Sequence, residues 1–388
     1  MEQQSHEHYI RRALQLARQA RRQVLPNPSV GAVLVHDGRI IGEGYHELFG
    51  GPHAEVNAIR TVHNPELLSQ ATLYVTLEPC SHTGKTPPCV DLIIASKIPR
   101  VVIGCRDPYP QVAGRGIAAL REAGVAVTER ILHDDCVLAN SRFILAHRMQ
   151  RPYIILKWAQ SSDGYIAPKD RQCVQISSPQ SQQLLHYWRG QEMAIAVGNT
   201  TARRDNPLLT VRHLELYKDT ELPPQQPTRV VIGDATRLPD HLALWNSPTP
   251  TMIFVPYGRS SPTRGATVTT SYYHEGQDLL PQICKALYDQ RILSLIVEGG
   301  AVTLQHFLDA DLWDEIRIFT APIQLGSGVP APRIPCVALS TTTSGADTLQ
   351  ICAHPSLAMR LDIERESLTT LVRSAANPSL GNSSARPQ

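Results

Sequence analysis

The stretch "GGPHAEVNAI" (residues 50–59) puts His53 and Glu55 two positions apart at the expected opening of a helix. Inside a regular helix such neighbours diverge, because only residues three or four apart share a face. At a helix start, after Gly50-Gly51-Pro52, both side chains can turn toward one point. Further on, "TLEPCSHTGKTPPCV" carries Cys80 and Cys89 at a strand end or helix start, with prolines at 79, 87 and 88. Proline is tolerated in a first helical turn, and the partial positive charge there favours the thiolate that a metal needs. One imidazole and two thiolates give three protein ligands and leave a fourth tetrahedral position open, the layout of a catalytic zinc. A closed structural site would want a fourth protein ligand, which His82 is placed to supply. The open reading predicts one zinc ion per chain on His53, Cys80 and Cys89, formally neutral and able to acidify water. Attack of that water on an amino-substituted ring still needs a proton carrier, and Glu55 is the catalytic residue with the right chemistry and reach.

The elements that would position these groups follow from periodicity. "EHYIRRALQLARQARRQ" has an apolar helix stripe with basic residues opposite. "GAVLVHDGRIIGEGYH" reads as two strands around Asp37-Gly38, a hairpin signal. A helix near His53, the strand "ATLYVTLEP", a helix near Cys89, the strand "RVVIGC", the helix "GIAALREAG" and the strand "VAVTERI" follow. The alternation predicts an α/β layer domain over residues 1–147. A charged, loop-like "AHRMQRP" precedes a second α/β unit, 152–368, with "YIILKWA", "SPQSQQLLHYWRG", "MAIAVG", "TRVVIGD", "PTMIFV", "LLPQICKALYDQ" and "LSLIVEGG" as its elements and a Pro-rich surface loop at 222–228. Residues 369–388, small, polar and proline-bearing, are expected to be a disordered tail.

Composition narrows the class. The chain has 388 residues, with 42% hydrophobic, 19% charged and a formal net charge of +2. Near-neutral charge and only 5% aromatic residues argue against a nucleic-acid deaminase, because single strands are held by basic grooves and stacking rings. The polar N-terminus lacks a secretory core, no apolar run is long enough to span a bilayer, and eight cysteines without an export signal suit reduced thiols. A cytoplasmic protein with neither nucleic-acid nor membrane partner is expected.

Two glycine-rich stretches were weighed as phosphate cradles. In "VAGRGIAAL", Gly114-x-Gly116-x-x-Ala119 mimics a dinucleotide fingerprint, but the preceding strand ends too far upstream for a tight strand–turn–helix. "LSLIVEGGAVTLQHFL" is better placed, running a strand directly into Gly299-Gly300 and a helix.

"HAE" with the later "PC" and second cysteine resembles the zinc-dependent cytidine deaminase superfamily. The wide spacing in "PCSHTGKTPPC", together with "PNPSVGAVLV", "GEGYH" and "VAGRGI", resembles the deaminase half of the bifunctional riboflavin-biosynthesis deaminase–reductases. "KWAQSSDGYIA", "ARRDNPLLTVR" and "EGG" in that order resemble the reductase half, so the likeness covers about residues 5–365. It implies a cytidine-deaminase-like α/β/α domain followed by a dihydrofolate-reductase-like α/β domain. The activities implied are zinc-dependent deamination of a diaminopyrimidinone ribosyl phosphate, then NADPH-dependent reduction of its ribosyl group to ribityl phosphate. The alternative is a deaminase alone with a degenerate reductase half.

By this resemblance Asn27, His46, His82 and Lys85 would line the deaminase pocket, with Lys85 attracting a substrate phosphate. Ala159, Thr201, Asp205 and Gly300 would contact NADPH. Arg189, Leu209, Arg212 and Glu298 would hold the phosphorylated pyrimidine, the arginines supplying fork-shaped cations, and Lys157 would polarise a carbonyl. Relatives imply a homo-oligomer. The chain departs from the pattern at Cys173-Val-Gln175, where Ser-x-Trp is usual, and at Gly233-Asp234, where Asp-Ser is common. An acidic Asp234 beside a cofactor 2′-phosphate would weaken the preference for NADPH.

Overall fold

The computed structural model describes residues 2–20, 22–81, 87–109, 113–170, 174–212, 225–245, 248–262 and 264–377. The chain divides into two compact units. Met1–Met149 with Ala358–Ser367 make up the first, and Gln150–Leu357 with the helix that starts at Leu368 the second.

The first unit opens with α1 (Glu2–Ala17), then β1 (Gly31–His36), β2 (Arg39–Tyr45), α2 (Ala54–Arg60) and β3 (Thr72–Leu77). It continues through α3 (Cys89–Ala95), β4 (Arg100–Cys105), α4 (Arg115–Glu122), β5 (Ala126–Thr128), α5 (His133–Ala139) and α6 (Ser141–Met149). Its sheet runs β2-β1-β3-β4-β5, antiparallel across β2, β1 and β3 and parallel from β3 to β5. The predicted hairpin is present. Asp37 (φ 48°) and Gly38 (φ 72°) both take the left-handed conformation that a two-residue turn demands. Ala54 and Ala58 of α2 pack with Leu34, Leu73, Val75 and Ile93 into one buried core. α2 lies directly on β2, so close that a Cβ on Gly44 would meet the Ala58 nitrogen at 2.3 Å. Only glycine lets that helix, and therefore its first residues, sit so near the sheet. The segment "AHRMQRP", expected as a loop, is helical through Met149, because Ile144, Leu145 and Ala146 bury an apolar face that the flanking arginines mask in the sequence.

The second unit begins with β6 (Tyr153–Ser161), β7 (Tyr165–Pro168), α7 (Pro179–Arg189), β8 (Ala194–Gly198), α8 (Asn199–Asp205), β9 (Thr228–Asp234) and β10 (Thr251–Pro256). β11 (Val268–Tyr273), α9 (Leu279–Asp289), β12 (Ser294–Gly299), α10 (Ala301–Asp309) and β13 (Glu315–Ala321) follow. The last elements are β14 (Gly328–Pro330), β15 (Ser340–Ser344), β16 (Asp347–Ala353), α11 (Leu357–Leu361) and α12 (Leu368–Ala376). Among the described residues, a 9-stranded sheet runs β11-β10-β9-β8-β12-β6-β13-β16-β15. It is parallel from β11 to β13 and antiparallel at β13, β16 and β15. The inner parallel strands β8, β12 and β10 are buried on both faces, as helix-covered sheets require, whereas the edge strand β11 is largely open.

Two expected boundaries differ from what is observed. Residues 369–376, assigned to a disordered tail, form most of α12, where Leu368, Leu371 and Val372 are buried. The polar composition of the whole tail hid this short amphipathic stretch. Ala358–Ser367, assigned to the second domain, groups with the first unit. Asp134 Oδ2 accepts from the Glu364 N–H (3.0 Å) and the Ser367 hydroxyl (2.7 Å), and the ring Nε2 of His133 donates to the Asp362 carbonyl (2.9 Å).

Candidate active sites

His53 is the N-cap of α2, and Cys89 is the first residue of α3, after Pro88. Cys80 lies on the turn after β3. Its sulfur accepts the Cys89 N–H at 3.3 Å, and its carbonyl accepts the Val90 N–H at 3.2 Å. The local fold therefore brings the three groups together. His53 Nδ1 is 3.5 Å from the Cys80 sulfur and 3.3 Å from that of Cys89, and all three ligand atoms lie within 4.8 Å of one another. A tetrahedral zinc with ordinary Zn–N and Zn–S bonds sets its N and S donors about 3.5 Å apart. The donor set fits zinc in type and spacing.

The electrostatics suit a cation. Hydrogen bonds from Cys89 draw the Cys80 thiol down toward the thiolate, and that sulfur in turn raises the His53 pKa. Cys89 is pushed up, because its thiol donates to the Cys80 sulfur and burial disfavours a second anion beside it. Glu55 is buried (3% exposed) beside these groups, and burial raises its pKa despite the opposing effect of His53. Burial therefore favours the protonated form of a carboxyl that stands beside the donor set, where a proton relay would need one.

His46 donates from Nδ1 to the Pro52 carbonyl (2.9 Å) and accepts from the Asn27 amide at Nε2 (3.2 Å). This assigns it the neutral tautomer, in line with a pKa lowered by burial. Its ring is 5.4 Å from that of His53, so Asn27 and His46 adjoin the donor set. His82 and Lys85 lie outside the described residues.

One residue of this unit was missed from the sequence. Glu78, two positions before Cys80, accepts backbone N–H groups of Asp107 (3.3 Å), Gly114 (3.0 Å), Gly116 (3.0 Å) and Ile117 (3.2 Å). The glycine-rich opening of α4 does cradle an anion, and the anion is the protein's own carboxylate. The signal was present as an acidic residue before Pro79-Cys80 and a Gly-x-Gly helix start with no strand directly ahead of it.

In the second unit, β8, β12 and β6 are neighbours. Gly300 opens α10 with φ 77°, which suits glycine. The Thr201 hydroxyl of α8 stands 3.1 Å from where a Gly300 Cβ would be, so these two candidates meet. Asp205 is exposed at the far end of α8, and Ala159 is half-buried on β6. Lys157 is buried on β6 (6% exposed).

Arg189 and Glu298 form a bidentate pair, Nε and Nη2 each 2.7 Å from a carboxylate oxygen, and Arg189 Nη1 donates to the Thr210 carbonyl (3.0 Å). The arginine expected as a free phosphate fork is thus engaged by another candidate. Leu209 is buried with φ 51° just ahead of Thr210, and the Arg212 N–H donates to His186 (3.1 Å). Among the described residues no carboxylate pairs with Arg212. Gln175 donates to the Ser177 carbonyl and hydroxyl, and Cys173 lies outside the described residues. Asp234 is not a bare negative charge: Arg259 (3.1 Å) and Arg237 (3.3 Å) both pair with it.

Two chemistries are therefore laid out along one chain, a hydrolytic deamination on the first unit and a hydride transfer on the second, the layout of a zinc deaminase fused to a reductase. The family models agree. Residues 3–105 match the cytidine and deoxycytidylate deaminase zinc-binding region, and residues 152–341 match the RibD C-terminal domain. The chain belongs to the RibD family of riboflavin biosynthesis proteins, bifunctional deaminases and NADPH-dependent reductases.

It is 40% identical over 328 residues to riboflavin biosynthesis protein RibD of Escherichia coli K12, covering 83% of this chain and 89% of that protein. Against RibD of Aquifex aeolicus it is 37% identical over 322 residues, covering 83% and 88%. Acinetobacter baumannii RibD superposes with a TM-score of 0.81 at 31% identity, over 91% of this chain and 99% of that one. A diaminohydroxyphosphoribosylaminopyrimidine deaminase/5-amino-6-(5-phosphoribosylamino)uracil reductase of Thermotoga maritima gives a TM-score of 0.77 at 33% identity, with the same coverage. Both the deaminase and the reductase domains are present. Among the described residues no helix is long and apolar enough to cross a membrane.

Proposed function

We propose that the first unit deaminates 2,5-diamino-6-(5-phosphoribosylamino)pyrimidin-4(3H)-one and the second reduces the resulting ribosylamine to a ribityl phosphate, the substrates in the name of the Thermotoga maritima relative. His53, Cys80 and Cys89 would hold the zinc. When bound, zinc supplies the Lewis acidity that makes water a competent nucleophile near neutral pH. Glu55 would take a proton from the attacking water and deliver it to the ring nitrogen, then take the proton of the hydroxyl so added and pass it to the amino group, which leaves as ammonia while the carbonyl forms. His46 and Asn27 present a fixed neutral polar edge to the pyrimidine.

In the second unit Gly300 and Thr201, with Ala159 and Asp205 at its borders, position NADPH, which supplies the hydride. Arg212 attracts the substrate phosphate, Glu298 and Arg189 brace one wall, and Lys157 faces a carbonyl of the ring. We also propose that the chain acts in the cytoplasm as a homo-oligomer on small molecules alone. Its near-neutral charge and thiols free of disulfides among the described residues support this.

The observation that carries the deaminase reading is the His53–Cys80–Cys89 donor set at tetrahedral spacing with Glu55 buried beside it. Glu55→Gln is expected to retain zinc by metal analysis and to lose about 10²–10⁴-fold in ammonia release. Ammonia release at the wild-type rate would remove Glu55 from the mechanism.

A further inference from the structure

In the sheet of the second unit β13 lies beside β6, with Arg317 opposite Lys157 and Phe319 opposite Ala159. Side chains two apart on a strand share a face, so Lys157, Arg317 and Phe319 stand together on the face that Trp188 of α7 covers. The Phe319 ring is fully buried. The Trp188 ring lies against it nearly parallel, with 17° between the planes and 5.2 Å between the centres. Trp188 is itself held by its indole N–H on the Ala375 carbonyl (2.9 Å) and by the Arg317 guanidinium, 4.7 Å from its ring centre. Arg317 is neutralised by Glu315, which accepts from Nε (3.0 Å) and Nη2 (2.6 Å).

Lys157 has no such partner: among the described residues no carboxylate or hydrogen bond reaches its Nζ. Two acidic groups favour its charge from nearby, Glu298 and Asp347. Both are engaged elsewhere, Glu298 with Arg189 (2.7 Å through each oxygen) and Asp347 with the Ser178 N–H (2.7 Å). What Nζ meets is the face of the Phe319 ring, 5.5 Å from its centre, within the range at which a cation is drawn to a π system. We propose that Phe319 is a positioning residue for the reduction, its ring face standing in for the counter-ion that Lys157 lacks and keeping the ammonium charged and in place for a substrate carbonyl, while Trp188 fixes the plane of the ring. This rests on reading Lys157 as a substrate-facing group of the reductase.

An aromatic face suits this duty better than a carboxylate. A carboxylate at Nζ would make a buried ion pair, which a substrate oxygen would then have to break. The ring attracts the ammonium yet uses none of its N–H donors, so they stay available for a carbonyl oxygen. Around Lys157, Arg189 of α7 opposes the charge, whereas Glu298 of β12 and Asp347 of β16 favour it. Arg317 of β13 is paired with Glu315. The ring is therefore the contact that can be weakened without disturbing an ion pair.

The test replaces Phe319 in the full-length protein with phenylalanine bearing one, two or three ring fluorines, which weaken the π face in steps while nearly keeping the shape of the ring. Thermal unfolding of each protein checks the fold. Two quantities are followed against pH: the side-chain ¹³Cε resonance of Lys157, assigned by its loss in Lys157→Met, and kcat/KM for reduction of the deaminated ribosylamine with NADPH. In the unmodified protein Lys157 should titrate at about pH 8. A charged lysine is the form that polarises a carbonyl, so reduction should fall as pH rises through that value. Removing an attraction to the ammonium lowers its pKa. Across the fluorine series the resonance and the basic limb of kcat/KM should therefore move together to lower pH, by about 0.5–1 pH unit in total, with rates below the limb unchanged. A resonance that titrates alike throughout the series, with Lys157→Met still slow in reduction, overturns the role of Phe319 and leaves the reading of Lys157 intact. Reduction rates indifferent to both the fluorines and Lys157→Met overturn that reading and the proposal with it.

Discussion

Lys157 carries an ammonium group into the core of the second unit, its Nζ 5.5 Å from the centre of the Phe319 ring. Burial pulls its pKa from the ordinary 10.5 to about 8, with Arg189 adding to the effect and Glu298 opposing it. The unfolded chain therefore binds the proton more tightly than the folded one between those two values. Stability rises with pH across that window, and the full cost of burying the charge is felt below about pH 8. Replacing the lysine by methionine, close in volume, is expected to stabilise the second unit at pH 7 by about 3 kcal/mol and to slow the reduction step. Thermal unfolding checks this at pH 7 and again above pH 10, where the gain should vanish. An unchanged or lowered midpoint at pH 7 would count against it. At this scale the sequence is uneven evidence. His53, Cys80, Cys89 and Glu55 stand out because few other roles call for those types in that arrangement. Arg189 was visible as a cation, but its pairing with Glu298 was not, because partners on different elements leave no local pattern.

Among elements, the turn of Glu78, Pro79 and Cys80 is fixed by Glu78 reaching the start of α4. A neutral amide there keeps the shape but turns N–H groups toward N–H groups. Glu78→Gln is therefore expected to destabilise the first unit by about 2–3 kcal/mol and to loosen its hold on zinc through Cys80. Urea unfolding of zinc-loaded protein, with zinc affinity measured by competition with a chelator, checks both effects, and wild-type values for both would rule the strut out. Most elements of this unit were legible because their apolar periods are uninterrupted. In the second unit β13 was not legible, because its alternation carries Glu315 and Arg317 into the interior, where they pair at 2.6 Å and the Tyr153 hydroxyl donates to Glu315 at 2.6 Å. Charged residues in a strand read as surface until their partners are known. The α/β alternation of β6, β8, β9, β10 and β12 was plain, since strands buried on both faces are nearly continuous runs of Val, Ile and Ala.

For the whole molecule, the end of the chain matters more than its composition suggests. α12 covers part of the second unit, and the Ala375 carbonyl accepts the indole N–H of Trp188 (2.9 Å). Trp188 stacks on Phe319 at 5.2 Å and directly precedes Arg189. Truncation after Ser367 is expected to lower the unfolding midpoint of the second unit and to raise KM in the reduction step, while ammonia release continues. Domain-resolved calorimetry and the two assays check this, and a truncated protein with an unshifted second transition would refute it. The two-part division was legible from the change of motifs. The return of residues 358–367 to the first unit was not, because no local signal says which core a short polar segment joins.

That return has a practical corollary. The polypeptide passes from one unit to the other after Met149, comes back at Ala358 and leaves again after Ser367. Cutting the gene at the obvious linker would yield an amino-terminal fragment missing a strip of its own surface, and a carboxyl-terminal fragment carrying that strip as an orphan. Expressed together, the two fragments should find each other through it, so fusion into a single open reading frame secures an assembly that the threading of the chain already favours.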